Sequence, residues 1–127
     1  MNSPDFEIYN GALLAYRGTA STVTLPDTLG DIGCNTFRDC SSLTEIVIPA
    51  GVTLLGYSAF HGCKSLSSVT IPQSVVSIGK GIFSGCERLT RIIYNGTRAE
   101  WAQIAKADRW DDGMGTYAIA CADGVIE

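Results

Sequence analysis

Hydrophobic and polar positions between residues 20 and 95 follow one pattern that returns every 23 residues. The middle copy runs from Pro49 to Ile71, and its neighbours open at Pro26 and Pro72. Five columns are invariant across the three copies: Pro26/Pro49/Pro72, Gly33/Gly56/Gly79, Phe37/Phe60/Phe83, Cys40/Cys63/Cys86 and Leu43/Leu66/Leu89. Four more stay apolar: Leu29/Val52/Val75, Ile32/Leu55/Ile78, Ile46/Val69/Ile92 and Ile48/Ile71/Tyr94. A fixed period of this length predicts a stacked solenoid. One unit cannot bury its own apolar row; stacking turns each column into a continuous internal ladder.

Within a copy, Leu43-Thr-Glu-Ile46-Val-Ile48 alternates and is rich in β-branched residues, which predicts a strand. The proline that follows has no N–H to donate and ends the ladder. The Val-x-x-Ile-Gly segment continues extended, with its glycine expected to allow a sharp corner. Residues 35–42 and their equivalents are too short for a regular helix and predict a helical or 3₁₀ turn with Phe and Cys inward.

The flanks differ. Asn10-Gly11 lies between the apolar runs Phe6–Tyr9 and Ala12–Tyr16, the signal of a hairpin. Val23-Thr-Leu25-Pro26 matches Ile46-Val-Ile48-Pro49 and predicts a degenerate first strand. After Tyr94 the period stops. Thr97-Arg-Ala-Glu100 is a capping box, so a helix is expected over roughly 98–106, with Trp101, Ile104 and Ala105 on one face. Residues 108–115 read as loop, Thr116–Cys121 as strand, and Asp123-Gly124 as a second hairpin turn into Val125-Ile126. The expected organisation is one domain over 1–127, with a hairpin cap at 1–19, repeats at 20–95 and a helix-plus-hairpin cap at 96–127.

Composition narrows the function. The chain is 46% hydrophobic and 17% charged, which places it among globular proteins. Its net charge of −4 comes with no clustered basic face, which argues against nucleic acid as a partner. No apolar run has the length of a membrane span. Met1-Asn-Ser-Pro-Asp5 lacks the pattern of a signal peptide, so the expectation is either a protein kept inside the cell or a trimmed sequence. Of the five cysteines, three share one inward column. Stacked neighbours lie about 4.8 Å apart with parallel Cβ vectors. A disulfide needs Cβ atoms about 3.8 Å apart and turned together. Cys40, Cys63 and Cys86 are therefore expected to be buried thiols.

The repeat resembles the BspA-like leucine-rich repeat, with Leu43, Ile46, Ile48, Pro49, Val52, Leu55, Gly56, Ala59, Phe60 and Cys63 matching that motif position for position. The ending is also similar to one common in that family, through Gly96-Thr97, Trp101 and Cys121-x-Asp123-Gly124. The resemblance implies a mainly β leucine-rich-repeat solenoid with one parallel strand per repeat. It also implies a secreted or cell-surface interaction and adhesion module, mostly bacterial, with no enzymatic activity and no cofactor.

In a solenoid the columns that vary form the surface. On the strands these are Ser21/Thr44/Ser67/Thr90, Thr22/Glu45/Ser68/Arg91 and Thr24/Val47/Thr70/Ile93. The expected protein-binding face is therefore Thr44, Glu45, Val47, Ser67, Ser68, Thr70, Thr90, Arg91 and Ile93. The same residues also suit any strand, so a structural or oligomerisation unit without a dedicated ligand site remains the alternative. Glu45 and Arg91 are the charges of that face and could approach across Ser68. The partner is expected to be a protein, with no membrane insertion, and the chain a monomer or weak homo-oligomer.

Other residues carry weaker signals. His61 has no accompanying acid or nucleophile, and His61-x-Cys63 lacks further metal ligands. Cys34 shares its column with Tyr57 and Lys80 and stands outside the inward positions, either as a reactive thiol or as a passive one. Asp108, Asp111 and Asp112 do not have EF-hand spacing and read as a solvated loop. Trp110 is either an exposed ligand contact or a partner of Trp101 under the cap, and packing is favoured.

Overall fold

Alternation within each copy has the outcome its period requires. Ile46, Val69 and Ile92 are buried, while Glu45, Val47 and Arg91 are exposed. The computed structural model describes residues 5–114 and 116–126. Gly115, at the end of the expected loop, and Met1 to Pro4 lie outside the described residues. The strands are β1 Phe6–Tyr9, β2 Ala12–Tyr16, β3 Thr22–Val23, β4 Asp31–Ile32, β5 Glu45–Val47 and β6 Leu54–Leu55. They continue as β7 Ser68–Ile71, β8 Ser77–Ile78, β9 Arg91–Tyr94, β10 Ala105–Lys106, β11 Ala118–Cys121 and β12 Gly124–Ile126, with helix α1 at Arg98–Gln103.

Two sheets form the walls of the solenoid. Sheet I has the order β12-β11-β9-β7-β5-β3 and contains the expected strands. Sheet II, β1-β2-β4-β6-β8-β10, runs along the Val-x-x-Ile-Gly segments. Each full copy thus contributes two strands where one was expected. The second, only two residues long, forms because stacking sets its backbone opposite the same backbone in the next copy. Thr53 N–H donates to Gly30 O at 2.9 Å, and Gly56 N–H to Ile32 O at 2.8 Å. Leu13, Ile32, Leu55 and Ile78 form the inward ladder of this sheet in register.

The invariant glycine at the corner has a different cause from the one expected. Gly33, Gly56 and Gly79 do not adopt positive φ. A Cβ on Gly56 would instead lie 2.7 Å from the Cys34 backbone nitrogen and 2.8 Å from the Gly33 carbonyl carbon. Close approach of successive copies, not turning freedom, excludes a side chain there. Left-handed geometry falls at two other columns: Asn35, Ser58 and Gly81 have φ of 60, 54 and 61°, and Asp39, Gly62 and Gly85 have 60, 77 and 79°. These positions break the corner into separate turns, such as His61 N–H to Ser58 O and Cys63 N–H to Phe60 O, in place of a continuous 3₁₀ helix.

Phe37, Phe60 and Phe83 are buried and stack, with ring centroids 5.1 and 5.7 Å apart. Tyr16 and Phe6 of the first hairpin extend the row at 5.3 and 5.5 Å. The hairpin turns at Asn10 and Gly11, both at positive φ, and a register shift between Glu7 and Ile8 brings Leu13 opposite Ile8. The hairpin does more than cover the stack: β2 pairs in parallel with β4 and is the first rung of sheet II. Thr36, the buried polar residue of the core, holds this junction, its hydroxyl 3.0 Å from Leu13 O and 2.6 Å from Gly33 O.

The far end departs from expectation. The capping box forms, with Thr97 Oγ1 accepting from Glu100 N–H and Glu100 Oε1 accepting from Thr97 N–H. The helix is shorter than expected, because Ile104 turns extended (ψ 131°) and Ala105–Lys106 pairs with β8. Trp101 and Ile104 are buried, while Ala105 is exposed. Residues 107–113 then repeat the corner geometry, with Arg109 and Gly113 at φ of 60 and 82°, and β11 pairs in parallel with β9. The coil therefore makes one further turn after the sequence period has ended. The closing hairpin turns at Ala122-Asp123, with Gly124 already paired to Cys121.

Candidate interaction surface

The varying strand columns lie side by side on the outer face of sheet I. The register sets Thr22, Glu45, Ser68, Arg91 and Ala118 in one row, and Val47, Thr70, Ile93 and Ala120 in another. Glu45, Val47 and Arg91 are exposed, and Ser68, Thr70 and Ile93 are half-buried. Val47 is 61% exposed beside a shallow hollow of about 310 Å³, bordered by Val23, Thr24, Glu45 and Pro49. Of the hydroxyls along the edge of this face, Thr44 Oγ1 donates to Ser21 O at 3.0 Å and Ser67 Oγ to Thr44 O at 3.1 Å. Those protons are committed to the preceding copy, so the face offers oxygen acceptors there. Thr90 is exposed at the end of that column. Among the described residues, the ion pairs are Arg17–Glu7, Arg38–Asp39 and Arg98–Asp123; Glu45 and Arg91 form none with each other. Their charges stay available to a partner.

Sheet II has an outer face that strand periodicity did not reveal. Leu14, Leu54, Tyr57 and Val76 are exposed on that side of the coil. The signal was present in the columns Asp31/Leu54/Ser77, Gly30/Thr53/Val76 and Cys34/Tyr57/Lys80, which vary between copies as the columns of sheet I do. A two-residue strand is too short for alternation to mark it.

Of the three cysteines expected to be buried, two are: Cys63 and Cys86 are enclosed and unbridged. Cys40, in the first copy, is half-buried because only the hairpin covers it on that side. The buried thiols also act as donors: Cys63 Sγ–H points to Phe37 O at 3.1 Å and Cys86 Sγ–H to Phe60 O at 3.0 Å. The hydrogen-bonded Cys86 thiol and burial together push Cys63 far above the ordinary thiol range. Cys34 is exposed. His61 is half-buried, and the Cys63 side chain is committed to the core. Among the described residues, no group of three or more His, Cys, Asp or Glu is placed to hold a metal ion.

At the last turn, Tyr94, Trp101, Trp110 and Tyr117 form a chain of edge-on rings with centroids 5.3, 5.7 and 6.0 Å apart. Trp110 therefore packs on Trp101, as favoured. Asp111 accepts a 2.6 Å hydrogen bond from Tyr117, and burial with this contact raises the phenol to about 12. Among the described residues, no helix is long and apolar enough to cross a membrane.

The comparisons agree with this architecture. A family model described as "BspA type Leucine rich repeat region (6 copies)" matches residues 8–103. A leucine rich cell surface protein from Faecalibacterium prausnitzii A2-165 is similar at 28% identity over 81% of this chain and 35% of that one, with a TM-score of 0.59. A leucine-rich repeat protein from Bacteroides ovatus ATCC 8483 aligns at 22% identity over 95% and 34% of the two chains, with a TM-score of 0.62. A T. pallidum leucine rich repeat protein aligns at 20% identity over 78% and 65%, with a TM-score of 0.57. The present chain thus spans about a third of the first two structures and about two thirds of the other. No match was found among curated proteins. With the repeat columns stacked as its motif requires and the family model covering most of its length, the chain belongs to the BspA-type leucine-rich-repeat family.

Proposed function

We infer that this chain is a non-enzymatic protein-interaction module that recognises a protein partner through the outer face of sheet I, at Thr44, Glu45, Val47, Ser67, Ser68, Thr70, Thr90, Arg91 and Ile93. The observation that carries this reading is the register. It aligns unpaired Glu45 and Arg91 in one row beside the exposed Val47, on a backbone held by continuous parallel pairing. Rigid arrays present such surfaces with little ordering cost on binding. Family membership supports an interaction role. The 28%-identical cell surface protein supports a place outside the cell or on its surface, where an adhesive task is the role we assign to the module. The test is crosslinking of the folded protein to intact cell surfaces, comparing wild type with Glu45→Lys/Arg91→Glu. A crosslinked protein lost in the double variant, with circular dichroism unchanged, is the expected result. Equal capture by both proteins overturns the assignment.

A second reading, an oligomerisation unit, is favoured by the exposed Leu54, Tyr57 and Val76 on sheet II. Sedimentation distinguishes it: self-association abolished by Leu54→Asp/Val76→Asp would support that reading.

A further inference from the structure

The last turn of the coil carries a charge where the other turns carry core. Lys106 pairs with Ile78, so it occupies the inward column of Leu13, Ile32, Leu55 and Ile78. Its Nζ lies 4.9 Å from the centroid of the Trp101 ring and donates to Trp101 O at 2.6 Å and Ile104 O at 3.2 Å, at the end of α1. An ammonium has three protons, and two are used by these carbonyls. Among the described residues, Lys106 is in none of the ion pairs, so its charge has no carboxylate partner. Burial lowers its pKa, as expected for a cation whose lost hydration is not replaced by an opposite charge.

This ammonium borders a hollow of about 480 Å³ lined by Trp101, Trp110, Tyr117, Ile119 and Ile126. Its walls are mainly rings and aliphatic side chains, with Thr116 also at the lining, and Lys106 is the charged group among the lining residues. The Tyr117 hydroxyl donates to Asp111, so it turns a lone pair, not a proton, to any visitor. Neither indole N–H has a hydrogen-bond partner among the described residues. The hollow therefore combines a largely apolar body with one unneutralised cation. A neutral hydrocarbon would leave the ammonium unmatched, and a cationic ligand would oppose it. A carboxylate completes the hydrogen bonding of the ammonium and supplies the missing charge, while an apolar group attached to it fills the ring-lined space.

We propose that the hollow between α1 and the closing hairpin, formed by Trp101, Lys106, Trp110, Tyr117, Ile119 and Ile126, binds a carboxylate carried on an apolar body. The site is separate from the face of sheet I and does not depend on the function assigned to it.

The chain has two tryptophans, and both line this hollow, so intrinsic fluorescence reports on it directly. Folded protein is titrated with 3-phenylpropionate and, separately, with 3-phenylpropanol, which keeps the ring and linker but lacks the charge. A saturable change with the acid, and binding of the alcohol weaker by about tenfold or more, is the expected result, the scale of a hydrogen bond to a charged group. Equal binding of acid and alcohol, or no saturable change with the acid, overturns the proposal. Lys106→Met keeps the stem and removes the charge; with circular dichroism unchanged, it is expected to bind acid and alcohol alike. Retained preference for the acid in that variant overturns the role of Lys106. A free acid and a peptide terminus share this chemistry, and N-acetyl-glycyl-phenylalanine separates them: tighter binding than 3-phenylpropionate points to a peptide terminus, weaker binding to a small free acid.

Discussion

The ring of Phe60 lies 5.1 Å from that of Phe37, centroid to centroid, with the two planes 4° from parallel. Phe83 continues the stack on the other side at 5.7 Å. Phe60 is thus enclosed by its own column, and neither neighbour can move into a space left beside it without breaking its own stack. Phe60→Ala is expected to cost about 3–5 kcal/mol, since it combines lost burial with a cavity that cannot collapse. Lys64→Ser, at an exposed position of the same copy, should cost less than about 0.5 kcal/mol. Urea unfolding of the two variants checks this contrast; equal, mild losses would contradict the stacked core.

Glycine substitution separates close approach from chain flexibility. A Cβ at Gly56 meets backbone atoms of the preceding copy at 2.7 and 2.8 Å, and backbone held in a sheet cannot step aside. Gly56→Ala should destabilise the fold by about 1–3 kcal/mol, as overpacking does. Gly30, one corner earlier, has nothing within 4 Å of its Cβ position and no positive φ. Gly30→Ala should be neutral or stabilising by up to about 1 kcal/mol, through the unfolded chain. Thermal melts of both variants provide the measurement.

Thiol chemistry should follow burial. Cys34 is exposed, whereas Cys63 and Cys86 are enclosed and their thiol protons are engaged by Phe37 O and Phe60 O. Native protein treated with iodoacetamide should label first at Cys34. Cys63 and Cys86 should label only after denaturation, because both side chains are fully enclosed and the reagent cannot reach them in the folded protein. Peptide mass spectrometry of timed samples reads this order, and early labelling of Cys63 would contradict the packed column.

Acid should weaken the C-terminal capping box. The Thr97 N–H, and after it the Gln73 side-chain amide, hold the Glu100 carboxyl below the usual glutamate range. A carboxyl depressed in the folded state stabilises the fold above its unfolded pKa and loses that contribution as pH falls through the folded value. The stability advantage of wild type over Glu100→Gln should therefore be constant above about pH 5 and shrink as pH falls below about 4. Parallel melts across that range test it, and an advantage that grows toward acid would reverse the sign.

Much of this architecture was legible before any coordinate. The invariant Phe, Cys and Leu columns identified the core, Asn10-Gly11 the first hairpin, and Thr97 with Glu100 the start of α1, because each depends on local chemistry or on strict recurrence. The varying letters Glu45, Ser68 and Arg91 identified the outer face of sheet I for the same reason: recurrence separates positions that must pack from positions that need not.

Other features existed only once the copies were stacked. Two-residue strands such as Leu54–Leu55 arise from pairing between copies and leave no alternation of their own, so sheet II and its exposed Leu54 and Val76 were hidden. The added turn through Lys106, Arg109 and Ile119 was hidden as well, since the chain keeps its path there while abandoning its spacing. The hollow at Trp101, Lys106 and Trp110 belongs to that turn. One-dimensional recurrence fixes which side chains face inward wherever the spacing holds; where the spacing ends, backbone pairing with the previous rung decides the path, and pairing is a property of space rather than of order along the chain.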